Sequence, residues 1–304
     1  MATEALAMRG RPSRPGALAD YWALTKPDVN LLILITTAAG FYLGLPMRAV
    51  GFPILLLCHT LLGTLLVASG TATLNQYVER EFDAQMRRTK RRPLAAGRID
   101  PSSVLWLGIA LSVSGAIYLA AAVNLLASLL TVLTLLSYLL LYTPLKRKTP
   151  LCTLVGAFPG AVPPLIGWAA ASGTLSAGAW LLYALVFLWQ FPHFMAIAWM
   201  YREDYDRAGY LVLPRGNARV PLMVLQTILP LISLVAIAIV QTPARHATTF
   251  CLVGTLLGLG FLYFGLKFVF AQSREAARRL LAASIIYLPL LFALSALLCH
   301  GATR

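Results

Sequence analysis

Nine apolar stretches follow one another along almost the whole chain, each near the ~20 residues that carry an α-helix across a bilayer. They cover about residues 29–45, 53–74, 104–122, 125–145, 151–171, 178–200, 221–241, 248–270 and 281–299. The loops between them are too short for a separate soluble domain. The expected organisation is a cytoplasmic tail at 1–28, a single membrane domain at 29–299 and a short external tail at 300–304. The apolar runs are continuous and do not alternate over ten residues. That pattern selects an all-α integral membrane protein over a β-barrel.

The cations test this count independently, because loops rich in Lys and Arg stay on the cytoplasmic side. With nine spans, 22 of the 25 Lys and Arg residues fall on one side, and only Arg48, Arg245 and Arg304 on the other. The N-terminus is therefore expected inside and the C-terminus outside. The formal net charge of +14 does not point to nucleic acid. A basic groove with interleaved aromatics needs a soluble face, and these cations sit in short loops beside the membrane.

Cys58, Cys152, Cys251 and Cys299 show no metal-type spacing and lie in or at the edge of the spans, where they read as small packing residues. No cleavable signal is expected, since no apolar run begins before Leu31 and the first span can direct insertion itself.

The acids cluster as sharply. Glu79, Glu81 and Asp83 follow the second span, and Glu203, Asp204 and Asp206 follow the sixth, so six of the eleven carboxylates occupy two cytoplasmic helix ends four spans apart. A four-helix internal repeat would produce that arrangement. Asn75, Glu79 and Asp83 are spaced i, i+4, i+8, which keeps them on one helical face. An amide oxygen and two carboxylates form a hard, oxygen-only set suited to Mg²⁺ completed by water and substrate phosphate. The spacing alone also fits a solvated turn with Glu–Arg pairs.

Context favours the first reading. Arg88 and Arg92 follow four apart, and Pro93 stops any helix there. Carboxylates for metal and guanidinium forks for phosphate oxygens are the two halves of a diphosphate site. The second loop, YREDYDRAGYLVLP, sets Tyr201, Arg202, Glu203, Asp204, Tyr205 and Asp206 on the same membrane side, and YTPLKRKTP adds Lys146 and Arg147. No Gly-rich phosphate loop precedes a helix. His193 lies in the sixth span, seven residues from its end, or about 10 Å deep. Ionisable groups at that depth face a cavity or a partner. His59 is a second intramembrane histidine, while His246 and His300 lie toward the outer surface.

In order, N-x-x-x-E-x-x-x-D with RRTKRRPL, YTPLKRKTP, FPGAVPPLIGWAA, WQFPHFMAIAW and YREDYDRAGY resemble the motifs of the UbiA superfamily of membrane prenyltransferases. Within it they are most similar to the branch that acts on heme. The likeness runs from LTKP at 24–27 to ASIIYLPLLF at 283–292. It implies nine helices around a central cavity, with Mg²⁺ and farnesyl diphosphate at the two acidic loops. By position, Asn75, Glu79 and Asp83 would hold metal and diphosphate, and Arg88, Arg92 and Lys146 would hold the diphosphate. His193 would contact heme.

Two departures stand out. Quinone-pathway relatives carry D-x-x-x-D in the second loop, where this chain has Tyr201 and Tyr205; Asp204 is then the nearest candidate for metal. Position 28 is Asp where the family often has Arg.

The activity implied is farnesyl transfer from farnesyl diphosphate to a vinyl group of heme b, with water addition, giving heme O. A downstream heme A synthase is an expected partner, and the bacterial cytoplasmic membrane the expected location. Two alternatives carry over: an aromatic prenyltransferase of quinone biosynthesis, sharing the metal site, and a membrane transporter, which one-sided charge disfavours.

Overall fold

Prolines and one widened turn mark where the nine apolar stretches depart from simple rods. The computed structural model describes residues 16–46, 51–213, 216, 219–240 and 247–300. The tail ahead of Gly16, His246 and the last four residues lie outside them. The helices are α1 (Ala17–Leu24), α2 (Pro27–Leu43), α3 (Ile54–Asp83), α4 (Pro101–Ala122), α5 (Leu125–Leu136), α6 (Cys152–Gly160), α7 (Pro163–Ser172), α8 (Ala177–Met200), α9 (Arg202–Arg207), α10 (Arg219–Val240), α11 (Ala247–Ala271) and α12 (Arg274–His300). Among the described residues there is no strand.

Among the described residues, eight helical units are long and apolar enough to cross a membrane, and α2, with 17 residues, is a shorter apolar helix. The chain is a multi-pass membrane protein. Large apolar side chains such as Leu133, Leu256 and Phe270 are exposed on its sides, as a lipid-facing surface requires.

The fifth stretch is two helices. Pro163 and Pro164 lack the N–H donors that would continue α6, so the chain turns at Ala161 and Val162 and restarts as α7. The buried Gln190 amide of α8 donates to the Ala157 carbonyl beside this break at 3.2 Å. The fourth stretch continues from α5 through a π-helical turn, Ser137–Tyr142, into one last helical turn, Thr143–Leu145. The ninth begins seven residues earlier than hydropathy indicated, because its first turns, from Arg274, are charged.

The expected tail at 1–28 is also partly helical. Hydropathy scanning misses α1 because it has only eight residues. Leu24 packs with Leu94, Ile99 and Val104, and Asp20 grips Arg98 through Nη2 at 2.8 Å and Nε at 2.9 Å. That hydrogen bond and the Arg98 charge hold the Asp20 carboxyl below its usual range although burial opposes them.

Small residues let the helices approach closely. A Cβ on Gly70 would collide with Ser112 of α4, and one on Gly40 would collide with the backbone of Pro164 in α7. Van der Waals contact between backbones is the main adhesion available inside lipid. The close α2–α7 and α3–α4 seams hold the C-terminal end of α3 in place, where the acidic face lies.

Candidate diphosphate and acceptor site

Asn75, Glu79 and Asp83 share one buried face at the end of α3, exposed by only 1%, 5% and 1%. Three different segments each bring a cation to one of them. Lys26 Nζ, just before α2, donates to Asn75 Oδ1 at 3.0 Å. Lys146 Nζ, just past the Thr143–Leu145 turn, meets Glu79 Oε1 at 2.7 Å. Arg92 Nη1, from the loop after α3, meets Asp83 Oδ2 at 2.6 Å. The two ion pairs satisfy buried carboxylates, and breaking such a pair costs on the order of ~3–5 kcal/mol; the Lys26 bond satisfies the buried Asn75 amide oxygen.

The set is not fully satisfied. Asp83 Oδ1 is buried without a hydrogen-bond partner among the described residues, and the buried Tyr210 hydroxyl faces Glu79. An orphaned carboxylate oxygen beside an amide oxygen and a second carboxylate fits a hard divalent cation. No group of three His, Cys, Asp or Glu side chains able to hold a metal occurs among the described residues. Mg²⁺ does not need one, because it keeps waters and takes substrate oxygens with one or two carboxylates. A cavity of about 440 Å³ opens beside Glu79, lined also by Phe82, Thr143, Arg147 and Tyr210.

The widened π turn shapes this wall. It sets the rings of Tyr138 and Tyr142 5.1 Å apart, with Lys146 Nζ 5.8 Å from one centroid and 4.5 Å from the other. Thr143 Oγ1 donates to the Tyr138 carbonyl at 2.9 Å and accepts from Asn75 Nδ2 at 3.4 Å. Asn75 is thus fixed on both sides.

Asp204, the nearest acid of the second loop, reaches back to the loop after α3. Its Oδ1 accepts from the Arg87 backbone N–H at 3.1 Å and from Arg207 Nη1 at 2.9 Å, and its Oδ2 accepts from the Arg88 N–H at 3.1 Å. Both oxygens are engaged by protein donors, so the carboxylate braces the loop after α3. Met86 packs with Ala208 and Tyr210 in the same seam, and the Leu211 N–H donates to the Lys146 carbonyl at 2.7 Å. The two acidic loops and the Lys146 loop form one packed unit.

The remaining expected residues lie around this core. Arg88 is exposed over the Tyr201 ring at 5.0 Å, and Arg147 lies over Phe82 at 4.3 Å. Arg202 Nη1 donates to the Trp199 carbonyl at 3.0 Å and covers the Trp199 ring. Tyr205 packs against Tyr210, with centroids 6.1 Å apart. His193 stands apart from the cluster, on α8 against Ser284 of α12 at 2.8 Å. Asp28 is exposed. His59 of α3 pairs with the Tyr118 hydroxyl of α4 at 2.5 Å.

Sequence reasoning passed over Lys26, which entered only the count of cytoplasmic cations. Its backbone is left-handed, with φ at +50°, a region a side chain rarely adopts without a reason. Burial, then the charges of Arg92 and Lys146, pull its ammonium down to about 7 against the attraction of Glu79 and Asp83. The available signal was its place in LTKP, immediately ahead of a helix-starting proline. Tyr210 was missed as well; burial first, then Glu79, raise its hydroxyl above the usual range.

Comparison with known proteins agrees with this architecture. The UbiA prenyltransferase family matches residues 33–297. The protoheme IX farnesyltransferase of Solibacter usitatus is 45% identical over 288 residues, covering 90% of this chain and 97% of that protein. That of Salinibacter ruber is 42% identical over 280 residues, covering 90% and 96%. A UbiA homolog from Archaeoglobus fulgidus, solved bound to GPP and Mg²⁺, superposes with a TM-score of 0.62 at 14% identity, covering 89% of this chain and 99% of that one. With a family match across nearly all the spans and relatives this similar over nine-tenths of its length, the chain belongs to the UbiA prenyltransferase family.

Proposed function

We propose that this protein transfers the farnesyl group of farnesyl diphosphate to a vinyl group of heme b, with addition of water, giving heme O and diphosphate. The observation that carries the site assignment is the face of Asn75, Glu79 and Asp83 with one cation on each. The acceptor and the donor chain follow from the protoheme IX farnesyltransferases it resembles.

The allylic C–O bond must ionise, so negative charge develops on the diphosphate. Arg92 and Lys146, joined by Lys26 once an arriving anion favours its protonated form, surround the place where that charge appears, and fixed charges in a low-dielectric site stabilise it without reorganising. Arg88 and Arg147, exposed at the rim, guide the diphosphate in. Asn75, Glu79 and Asp83 would hold Mg²⁺, which when bound supplies further charge neutralisation to the diphosphate oxygens. The terminal vinyl carbon then bonds to C1 of the farnesyl cation. Water adds to the carbon next to the porphyrin and releases a proton.

No protein nucleophile enters this balance. The apolar wall of the cavity near Phe82 keeps water from the cation before the vinyl group reaches it. His193 is the proposed contact for heme. The bacterial relatives support a bacterial cytoplasmic membrane, where the product would pass to a heme A synthase.

The test is purified protein with labelled farnesyl diphosphate, Mg²⁺ and either heme b or 4-hydroxybenzoate. Farnesylated heme is expected. Product on 4-hydroxybenzoate alone would replace the acceptor, and uptake without product would favour a transporter.

A further inference from the structure

Only Gln272 and Ser273 join α11 to α12, and beside that turn the two helices form a groove that shares no residue with the diphosphate cluster. Its volume is about 560 Å³, in the range of a small-molecule site. Tyr263, Phe264, Leu266 and Phe270 of α11 give it an apolar wall. The Phe270 ring is 83% exposed, the setting of an aromatic side chain that meets lipid at the end of a span. Two cations also line the groove, Lys267 of α11 and Arg279 of α12.

Those cations are under-neutralised. Lys267 Nζ rests over the Tyr263 ring at 4.8 Å and has no carboxylate within ion-pair reach among the described residues. Arg279 Nη2 meets Glu275 Oε1 at 2.5 Å, an exposed pair that uses one edge of the guanidinium and leaves its other N–H donors for a second anion. Arg274 and Arg278 are exposed alongside, so residues 267–279 set four cations against one carboxylate. The first turn of α12 is already capped, with Ser273 Oγ accepting from the Ala276 N–H at 3.1 Å. An anion here would therefore be held by side chains.

Both helices are candidate spans, Cys251–Ala271 and Arg274–Leu297, so the groove opens where apolar helix sides give way to a charged turn. Phe268, adjacent to Lys267, meets Trp199 edge-on at 5.9 Å, and Trp199 lies just ahead of α9. The groove is on the same membrane side as the second acidic loop. A soluble anion has no use for the aromatic wall, and a neutral lipid has none for the cations. Basic pockets between spans suit molecules that join a negative headgroup to an apolar tail. We infer that this groove is a binding site for an anionic phospholipid, its phosphate paired with Lys267 and Arg279 and an acyl chain lying along Tyr263, Phe264, Leu266 and Phe270.

The experiment uses the full-length protein in a neutral detergent, with affinity read from the rise in melting temperature as dioleoylphosphatidylglycerol is added. Lys267→Gln and Arg279→Gln should each weaken that binding about fivefold, the two together more than either alone, and Lys267→Arg should stay close to wild type. Lys90→Gln with Arg91→Gln removes two exposed cations elsewhere and should leave the affinity unchanged. Dioleoylphosphatidylcholine, with the same chains and no net charge, should bind about tenfold more weakly or worse. Inorganic phosphate at the same concentrations should give no rise.

Equal losses in the Lys90/Arg91 and Lys267/Arg279 double variants would show that lipid follows net charge alone, and would overturn the site. Equal protection by phosphatidylcholine would overturn recognition of the headgroup. Protection by inorganic phosphate matching that by phosphatidylglycerol would make the groove a phosphate site and overturn the lipid.

Discussion

Lys26 and Asn75, 49 positions apart, meet at 3.0 Å at the head of the acidic face. The lysine reaches it from a left-handed residue wedged between α1 and a helix-starting proline. Replacing Lys26 with Gln removes the charge and leaves a shorter polar side chain in its place. The KM for farnesyl diphosphate is expected to rise about tenfold, the equivalent of ~1.4 kcal/mol, with the KM for heme unchanged and Lys26→Arg partly restoring the loss. Equal rises for both substrates would mean that Lys26 only supports the fold.

Asp83 is buried, paired with Arg92 through one oxygen and unpaired at the other. Asp83→Asn should lower turnover by at least about a hundredfold, the usual scale for losing one preorganised electrostatic group, while the protein still inserts and purifies normally. Turnover close to wild type would remove this face from the chemistry.

Because Asp204 gives both oxygens to protein donors, Asp204→Asn tests bracing against metal binding. The amide nitrogen cannot accept, so at least one loop contact is lost. Stability is expected to fall by about 1–3 kcal/mol, seen as a lower melting temperature, with the Mg²⁺ concentration for half-maximal activity unaltered. A large shift in that concentration without loss of stability would make Asp204 a ligand.

The Asp20–Arg98 pair gives a pH dependence with a defined sign. Its folded carboxyl is held below the usual value, while the unfolded one titrates near ~3.9. The stabilisation is therefore present above that value and lost as pH falls through the folded pKa. Asp20→Asn should melt at a lower temperature than wild type at neutral pH, with the gap closing in strong acid. A constant gap from neutral pH to strong acid would show that the carboxylate charge is irrelevant.

Much of this was readable in the chain. The spans follow from apolar runs because lipid demands a locally satisfied backbone and an apolar surface. The convergence of Asn75, Glu79 and Asp83 follows from 3.6 residues per turn. These rules act within a few residues, so the sequence by itself determined them. It could not reveal that Lys26 caps Asn75, that Asp204 braces Arg87 and Arg88 across more than a hundred positions, or that Ser284 faces His193. Nor did hydropathy show the π turn that aims Tyr138 and Tyr142 at Lys146. Only the tertiary structure decided those, because which distant donor satisfies a buried polar group depends on where packed helices leave it, and periodicity carries no information about that.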